Sequence, residues 1–297
     1  MGLTVGEEIE RFAQDVGPVD PVTITGTGTR GGPVAAARTV VAPAGIRWIE
    51  PEEMTIRCGA ATPVDDVVAA LAPHGQTIAL PPGGTVGGAL ARGRSGIRRL
   101  GDGPVRDAVL QIDYVAASGD VVKAGGPTVK NVSGFDLCRL LVGSQGTLGF
   151  FAETILRTRP LPRSSQWYVG GRDPFALLVD LYRPTSVLWD GARTWALLDG
   201  DPEDRAIEAE RAELAACDGP PRLPAGGRWS VAPADLPRLA QVPAGSFVAE
   251  VGVGVVHRDG PPPVAEPPPA IRSLHARIKA AFDPEGRLNP GRDVLGR

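Results

Sequence analysis

The placement of glycine constrains this chain more than any other feature. The run Gly26-Thr27-Gly28-Thr29-Arg30-Gly31-Gly32 follows a β-branched segment, Val22–Thr25. Two further runs, Gly83-Gly84-Thr85-Val86-Gly87-Gly88 and Gly143-Ser144-Gln145-Gly146-Thr147-Leu148-Gly149, continue the theme. A residue without Cβ opens left-handed backbone and lets the main chain approach a ligand closely. A strand that feeds such a run exposes consecutive N–H groups, a nest that binds phosphate without side-chain charge. Taken singly, the first two runs also fit ordinary tight turns. The first fails the G-x-G-x-x-G spacing and no long helix follows it directly, which argues against the dinucleotide fingerprint of doubly wound folds. With 39 glycines and 30 prolines in 297 residues, the chain comes close to the composition of disordered proteins. The bunching of its glycines between apolar segments fits a ligand cradle better.

Hydrophobic periodicity fills in the elements between the glycines. Residues 4–15 predict a short amphipathic helix, and 22–25 and 54–58 predict strands. A helix is expected after Thr62 as N-cap, with Pro63 in the first turn, Asp65 closing a capping-box-like pattern, an apolar face of Val64, Val67, Val68 and Leu71, and Gly75 at its end. Residues 108–115 and 120–123 predict a hairpin turning at Ser118-Gly119, 136–142 a short helix, and 149–158 a strand stopped by Arg159-Pro160. Beyond 165 the texture changes. Strands are expected at 166–169, 193–198 and 246–256, with a helix over 202–216 capped by Asp201 and buried through Ile207 and Leu214. That mixture predicts a small α+β unit. Residues 260–269 are a proline-rich linker, and Ile271, Leu274, Ile278 and Phe282 recur at helical spacing over 270–282.

Composition excludes several function classes. A net charge of −3 gives no electrostatic footprint for nucleic acid or anionic membranes. The apolar runs fall far short of the ~20 residues of a membrane helix, and the acidic beginning MGLTVGEEIERF has no signal-peptide core, so a cytoplasmic location is expected, peripheral to a membrane only through partners. Cys58, Cys138 and Cys217 are widely spaced, which predicts free thiols and neither an iron–sulfur nor a zinc site.

The most specific pattern is Lys130-Asn131-Val132-Ser133-Gly134-Phe135-Asp136-Leu137, followed by the 143–149 run and a Glu-containing strand. Residues 130–157 resemble the segment KN-V-x-G-[YF]-D-L-x-[RK]-L-[LM]-V-G-S-x-G-x-L-G of PCMH-type FAD-binding domains, in the vanillyl-alcohol-oxidase superfamily. In matching order, Gly26–Arg30 resembles that family's first pyrophosphate loop and Thr85–Gly88 its T-[IV]-G-G loop. Arg106-Asp107 resembles its Y-G-x-[VI]-R-D element, with Leu100 in place of the aromatic. The stretch from Phe282 to Gly291 is similar to its FDP-x-G-x-[LF]-NPG tail. Ser95-Gly96-Ile97-Arg98-Arg99 with Val105-Arg106-Asp107 is similar to the S-G-P-R-R…V-R-D stretch of the FAD-binding E subunit of glycolate oxidase. The resemblance covers about 22–162 and 271–292.

The resemblance implies an α+β fold: a two-subdomain PCMH-type FAD-binding domain over 1–162, a small α+β cap with its linker over 163–269, and a C-terminal helix and tail over 270–297 returning to the flavin domain. It implies FAD, with the pyrophosphate against Gly26, Thr27, Gly28, Thr29, Arg30, Gly84, Thr85, Val86, Gly87 and Gly88. It places the isoalloxazine near Gly134, Gly149, Phe150, Phe151 and Asn289. The remaining cofactor-binding candidates are Ser95, Gly96, Arg106, Asp107, Lys130, Asn131, Phe135 and Asp136. The first loop has no His to which flavin is covalently attached in many relatives, so non-covalent FAD is expected. The implied partners are a catalytic flavin subunit and an iron–sulfur subunit of a glycolate-oxidase-like complex acting on a small 2-hydroxy acid. A non-catalytic assembly subunit and a stand-alone flavin oxidoreductase are the competing readings. No catalytic residue is assigned. His257 is the strongest single candidate base, ahead of His74 and His275, and Arg193, Arg258 and Glu250 are equally consistent with structural roles.

Overall fold

A computed structural model describes residues 4–35, 37–127, 136–261 and 266–295. In chain order the helices are α1 (Val5–Val16), α2 (Val64–Leu71), α3 (Val86–Arg92), α4 (Arg99–Asp102), α5 (Leu137–Leu141), α6 (Pro174–Asp180), α7 (Pro202–Arg211) and α8 (Pro269–Phe282). The strands are β1 (Val22–Thr25), β2 (Arg38–Val41), β3 (Ile46–Glu50), β4 (Thr55–Gly59), β5 (Gln76–Ile78), β6 (Val109–Val115), β7 (Val121–Gly125), β8 (Phe150–Pro160), β9 (Ser164–Gly170), β10 (Ser186–Trp189), β11 (Thr194–Gly200), β12 (Ala215–Cys217), β13 (Gly227–Ser230), β14 (Phe247–Glu250) and β15 (Val255–Arg258). The fold is α+β, as the sequence implies. The chain forms two compact units: Met1–Ser95 with Pro104–Leu161 and Glu266–Arg297, and Gly96–Gly103 with Pro162–Ala265.

The first unit holds two sheets. β1 and β2 pair in parallel, Val22 opposite Arg38. The larger sheet runs β3-β4-β8-β6-β7, and β5 pairs with the far end of β8. Its centre, β8, is buried along nearly its whole length, and Ile112, Phe150, Ala152 and Leu156 anchor the core with Val67 and Leu71 of α2 and Leu90 of α3. Burying Leu, Ile and Phe side chains of this kind stabilises by about 1.5–3 kcal/mol each. The other face of the sheet carries charge. Glu153, fully buried, accepts from Arg47 Nε at 2.5 Å and Arg57 Nε at 2.7 Å, and Arg57 reaches Asp113 at 2.6 Å. Each buried charge therefore has a partner, which is the condition for burying it.

The second unit is an antiparallel sheet of order β12-β9-β11-β10-β14-β15-β13, with α6 and α7 packed on the face that carries Val187, Trp189, Ala196, Phe247 and Val256. The segment Gly96–Gly103 belongs to this unit although it precedes the unit's sheet in sequence by about sixty residues: Arg98 pairs with Asp199 at 2.6 Å, and Gly101 N–H donates to the Thr185 carbonyl.

Several expectations are corrected. Thr62 does not cap α2. Its hydroxyl donates to the Gly59 carbonyl and accepts from Gly45 N–H, and Asp65 accepts instead from Gly83 N–H at 3.1 Å. The helix expected over 202–216 ends at Arg211, because Glu213 turns left-handed at φ 56° and the following alanines pair with β9. Ile207 is half exposed; Arg205 and Ala209 make the buried face. Residues 246–256 are two strands: Gly252 and Gly254, at φ 80° and 81°, turn the chain back between β14 and β15. β8 continues through Arg159-Pro160 because β5 pairs with that end. Ile271 and Leu274 of α8 are exposed, whereas Ile278 and Phe282 pack on the core.

Candidate cofactor-binding site

β1 delivers the first glycine run to the rim of an open cavity in the first unit. Gly28 takes φ 75° and Gly31 φ 123°, conformations that only glycine adopts cheaply. Among the described residues, the N–H groups of Thr27 and Gly28 have no backbone acceptor. The loop is held from outside by Arg30. Its guanidinium donates to the carbonyls of Gly83 at 2.6 Å, Pro81 at 2.8 Å and Pro82 at 3.0 Å. Burial pushes the Arg30 pKa down, with Asp65 opposing. The two glycine runs are therefore stitched together, and Gly84 is the residue that permits it, since a Cβ there would lie 2.0 Å from Arg30 Nη1.

The second run becomes α3, an element not foreseen from the sequence. Thr85 caps it, its Oγ1 accepting from Gly88 N–H at 3.1 Å. Gly87 N–H donates to the Ala60 carbonyl at 2.7 Å, and a Cβ on Gly87 would sit 2.8 Å from Ala60 Cβ. Glycine lets this helix lie directly on the backbone after β4, which opens the cavity along its side.

The opposite wall comes from the third run and the C-terminal tail. Gln145 and Gly146 are left-handed, at φ 54° and 71°, and Arg92 Nη1 donates to Gln145 Oε1 at 2.9 Å. Asn289, buried and also left-handed, accepts from Thr23 Oγ1 at 2.7 Å and donates to the Gln145 carbonyl at 2.8 Å. The tail reaches this position by design of its own residues. Buried Asp283 accepts from the N–H groups of Arg287 and Leu288 and from Lys279 Nζ. Arg287 donates to the carbonyls of Asp20, Ala117 and Val16. Val22 N–H then donates to the Arg287 carbonyl, and Asn289 N–H to the Val22 carbonyl, which lays the tail along β1.

The cavity brings together Gly26, Thr27, Gly28, Thr29, Arg30, Thr85, Gly87, Gly88, Gly149, Phe150, Phe151 and Asn289 of the sequence candidates. Gly84 and Val86 lie beside it, Val86 fully buried. Ser95 accepts from Val105 N–H, and Gly96 belongs to the second unit. Arg106, Asp107 and Asp136 do not line it; Asp107 and Asp136 pair instead with Arg139, at 3.4 Å and 3.0 Å. Lys130, Asn131, Gly134 and Phe135 fall outside the described residues. The cavity also uses Arg92, Gln145, Gly146 and Arg292, none of them among the expected cofactor-binding residues. Gln145 and Gly146 stand within the third glycine run; nothing in the sequence marks Arg92, whose role depends on α3.

The second unit contains a separate polar feature. His257 Nε2 lies 2.8 Å from Glu250 Oε1, across the β14–β15 hairpin. Glu250 is buried, and its Oε2 has no hydrogen-bond partner among the described residues. The sequence had named both residues without pairing them. Arg258 covers the Trp229 ring, 4.7 Å from its centroid, while Arg193 and His74 are exposed. Among the described residues no cluster of His, Cys, Asp or Glu has the arrangement of a metal site.

Residues 18–125 match the family model of the FAD binding domain. That part of the chain is similar to FAD-binding domains, which supports FAD binding. The chain is 35% identical to glycolate oxidase subunit GlcE of Escherichia coli over 166 residues, 53% of this chain and 47% of that protein. It is 42% identical to glycolate oxidase subunit GlcD of Bacillus subtilis over 28% of this chain and 17% of the relative. A D-lactate dehydrogenase of Archaeoglobus fulgidus is 34% identical over 46% and 32%. The chain thus matches less than half the length of each of these curated relatives. Solved structures of alkyldihydroxyacetonephosphate synthase share the fold at 15% identity, with a TM-score of 0.67 over 96% of this chain and 74% of that one. The cavity of the FAD-binding domain fits a flavin dinucleotide in its own terms. Three guanidinium groups line it, and no carboxylate does among the described residues. Its glycines stand where side chains would fill it. No described helix is long and apolar enough to cross a membrane.

Proposed function

We propose that this chain is the FAD-binding subunit of a glycolate-oxidase-like 2-hydroxy-acid dehydrogenase assembly, holding FAD without a covalent bond. The observation that carries the reading is the cavity itself, in which three glycine runs and the C-terminal tail, distant in sequence, converge. The match to a glycolate oxidase E subunit along about half the chain supports the assembly. Bound FAD would supply a two-electron acceptor. The protein's part is to bind and orient it: the pyrophosphate against Gly26–Arg30 and Thr85–Gly88, and the ring against Gly149–Phe151 and Asn289. Among the described residues no His or Cys lines the cavity, which supports non-covalent attachment. The partners are a second flavin subunit and an iron–sulfur subunit, consistent with three isolated cysteines here.

The test is to purify the chain alone and record its absorption before and after acid precipitation. A flavin band that moves into the supernatant is expected, followed by glycolate or D-lactate oxidation once the partner subunits are added. A flavin retained in the pellet overturns non-covalent attachment. A colourless chain that fails to take up FAD overturns the flavoprotein assignment and leaves an assembly role. Flavin release without activity toward either acid in the complete assembly overturns the substrate class.

A further inference from the structure

The positive charge that the FAD cavity offers comes from guanidinium groups and not from the glycines of its loops. Of the three guanidinium groups on its wall, Arg30 is committed to the carbonyls of Pro81, Pro82 and Gly83, and Arg92 donates to Gln145. Among the described residues Arg292, in the tail three residues beyond Asn289, makes one side-chain hydrogen bond: Nη2 donates to the Gly32 carbonyl at 2.6 Å. Its backbone N–H donates to the Asn289 carbonyl, which fixes where the side chain starts. Its Nη1 lies 3.5 Å from the position a Cβ would take on Gly31. Arg292 is half-buried, and among the described residues no carboxylate pairs with it. A guanidinium has five donors in a fixed fork, so one bond to a carbonyl leaves others beside Gly31 at the edge of the glycine run.

We infer that Arg292 is the counter-charge for the pyrophosphate of FAD, brought to the first glycine loop by the C-terminal tail. The inference rests on the reading of this cavity as the FAD site. The glycine N–H groups supply direction but no net charge, and the pyrophosphate is an anion. A charge-assisted, forked contact is the kind of group that meets this need. The arrangement also means that cofactor retention depends on residues more than 250 positions away from the loop, because the contacts of Asp283, Arg287 and Asn289 hold the tail that carries Arg292.

The experiment titrates the full-length apoprotein, its R292Q and its R292K variant with FAD and, separately, with riboflavin, following quenching of flavin fluorescence at low and high salt. Gln retains a hydrogen-bond donor without the charge, and Lys retains the charge. R292Q is expected to weaken FAD by about 10- to 100-fold, the value of one lost charged hydrogen bond. Riboflavin, which has no phosphate, is expected to bind R292Q and wild type alike. The salt dependence of FAD binding is expected to flatten in R292Q and to persist in R292K. The melting temperature of the apoprotein is expected to be the same in all three. Wild-type FAD affinity in R292Q, or an equal loss for both flavins, overturns the inference while leaving the FAD site standing. A wild-type chain that binds neither flavin overturns the FAD reading itself, and this inference with it.

Discussion

A single methyl group distinguishes the glycines that shape the cavity from those that merely border it. At Gly87 a methyl would lie 2.8 Å from Ala60 Cβ and 2.9 Å from the Ala60 carbonyl oxygen, and backbone cannot swing aside as a side chain can. At Gly32 a methyl would meet nothing within 4 Å. G87A is therefore expected to destabilise the protein by about 1–3 kcal/mol through overpacking, while G32A stays within about 0.5 kcal/mol of wild type. Urea unfolding of the two variants measures both. Equal stability would mean that α3 is free to slide off the chain that follows β4.

At the scale of elements, the tail is the part whose stability and function are hardest to separate. Arg287 sits at a point where three carbonyls converge, those of Asp20, Ala117 and Val16, the last at the end of α1. Burial pushes its pKa down and Asp283 acts against that shift. R287M keeps the length of the side chain and removes its donors. Its expected cost is about 2–4 kcal/mol, from carbonyls left without partners. Because Asn289 follows two residues later, the variant is also expected to lose FAD on gel filtration that wild type retains. Thermal unfolding and the flavin absorbance of the eluted protein check the two effects together. A variant that loses stability but retains flavin would separate the clamp from the cavity.

Across the whole molecule, each unit has its own apolar core, and the first contains both fully buried thiols, Cys58 and Cys138. Burial, the largest cause in each case, raises both from an ordinary value near 9 to about 11. A raised value means that the folded state holds its protons longer than the unfolded chain. The resulting stability is fully present below pH 9 and is lost as the pH rises toward 11. The protein is expected to weaken in that alkaline window, and C58A, although less stable at pH 7, is expected to lose less between pH 9 and 11. Urea midpoints at a series of pH values test the slope; parallel curves for wild type and variant would exclude the thiol as its source.

Local signals made much of the fold legible in the sequence. β1 was readable from the β-branched run Val22–Thr25, the β6–β7 hairpin from alternation around Ser118-Gly119, and α5 from the short apolar segment after Asp136. Each depends on residues close together in the chain. The glycine runs, Asn289 and the likeness to an FAD-binding domain were legible for a similar reason: they are dense, ordered patterns. Tertiary structure decided what those residues do. Only folding could show that Arg30 is used up on Pro81–Gly83, that Arg292 returns to Gly32, and that Glu250 meets His257 across a turn. Competition between elements was equally invisible. The alanines after Arg211 favour helix by propensity, yet β9 offered them a partner, and the pair Gly252 and Gly254 split one apolar run into two strands. Propensity and spacing act along the chain, whereas the carbonyls, ring faces and carboxylates that complete a site come from segments that the sequence holds far apart.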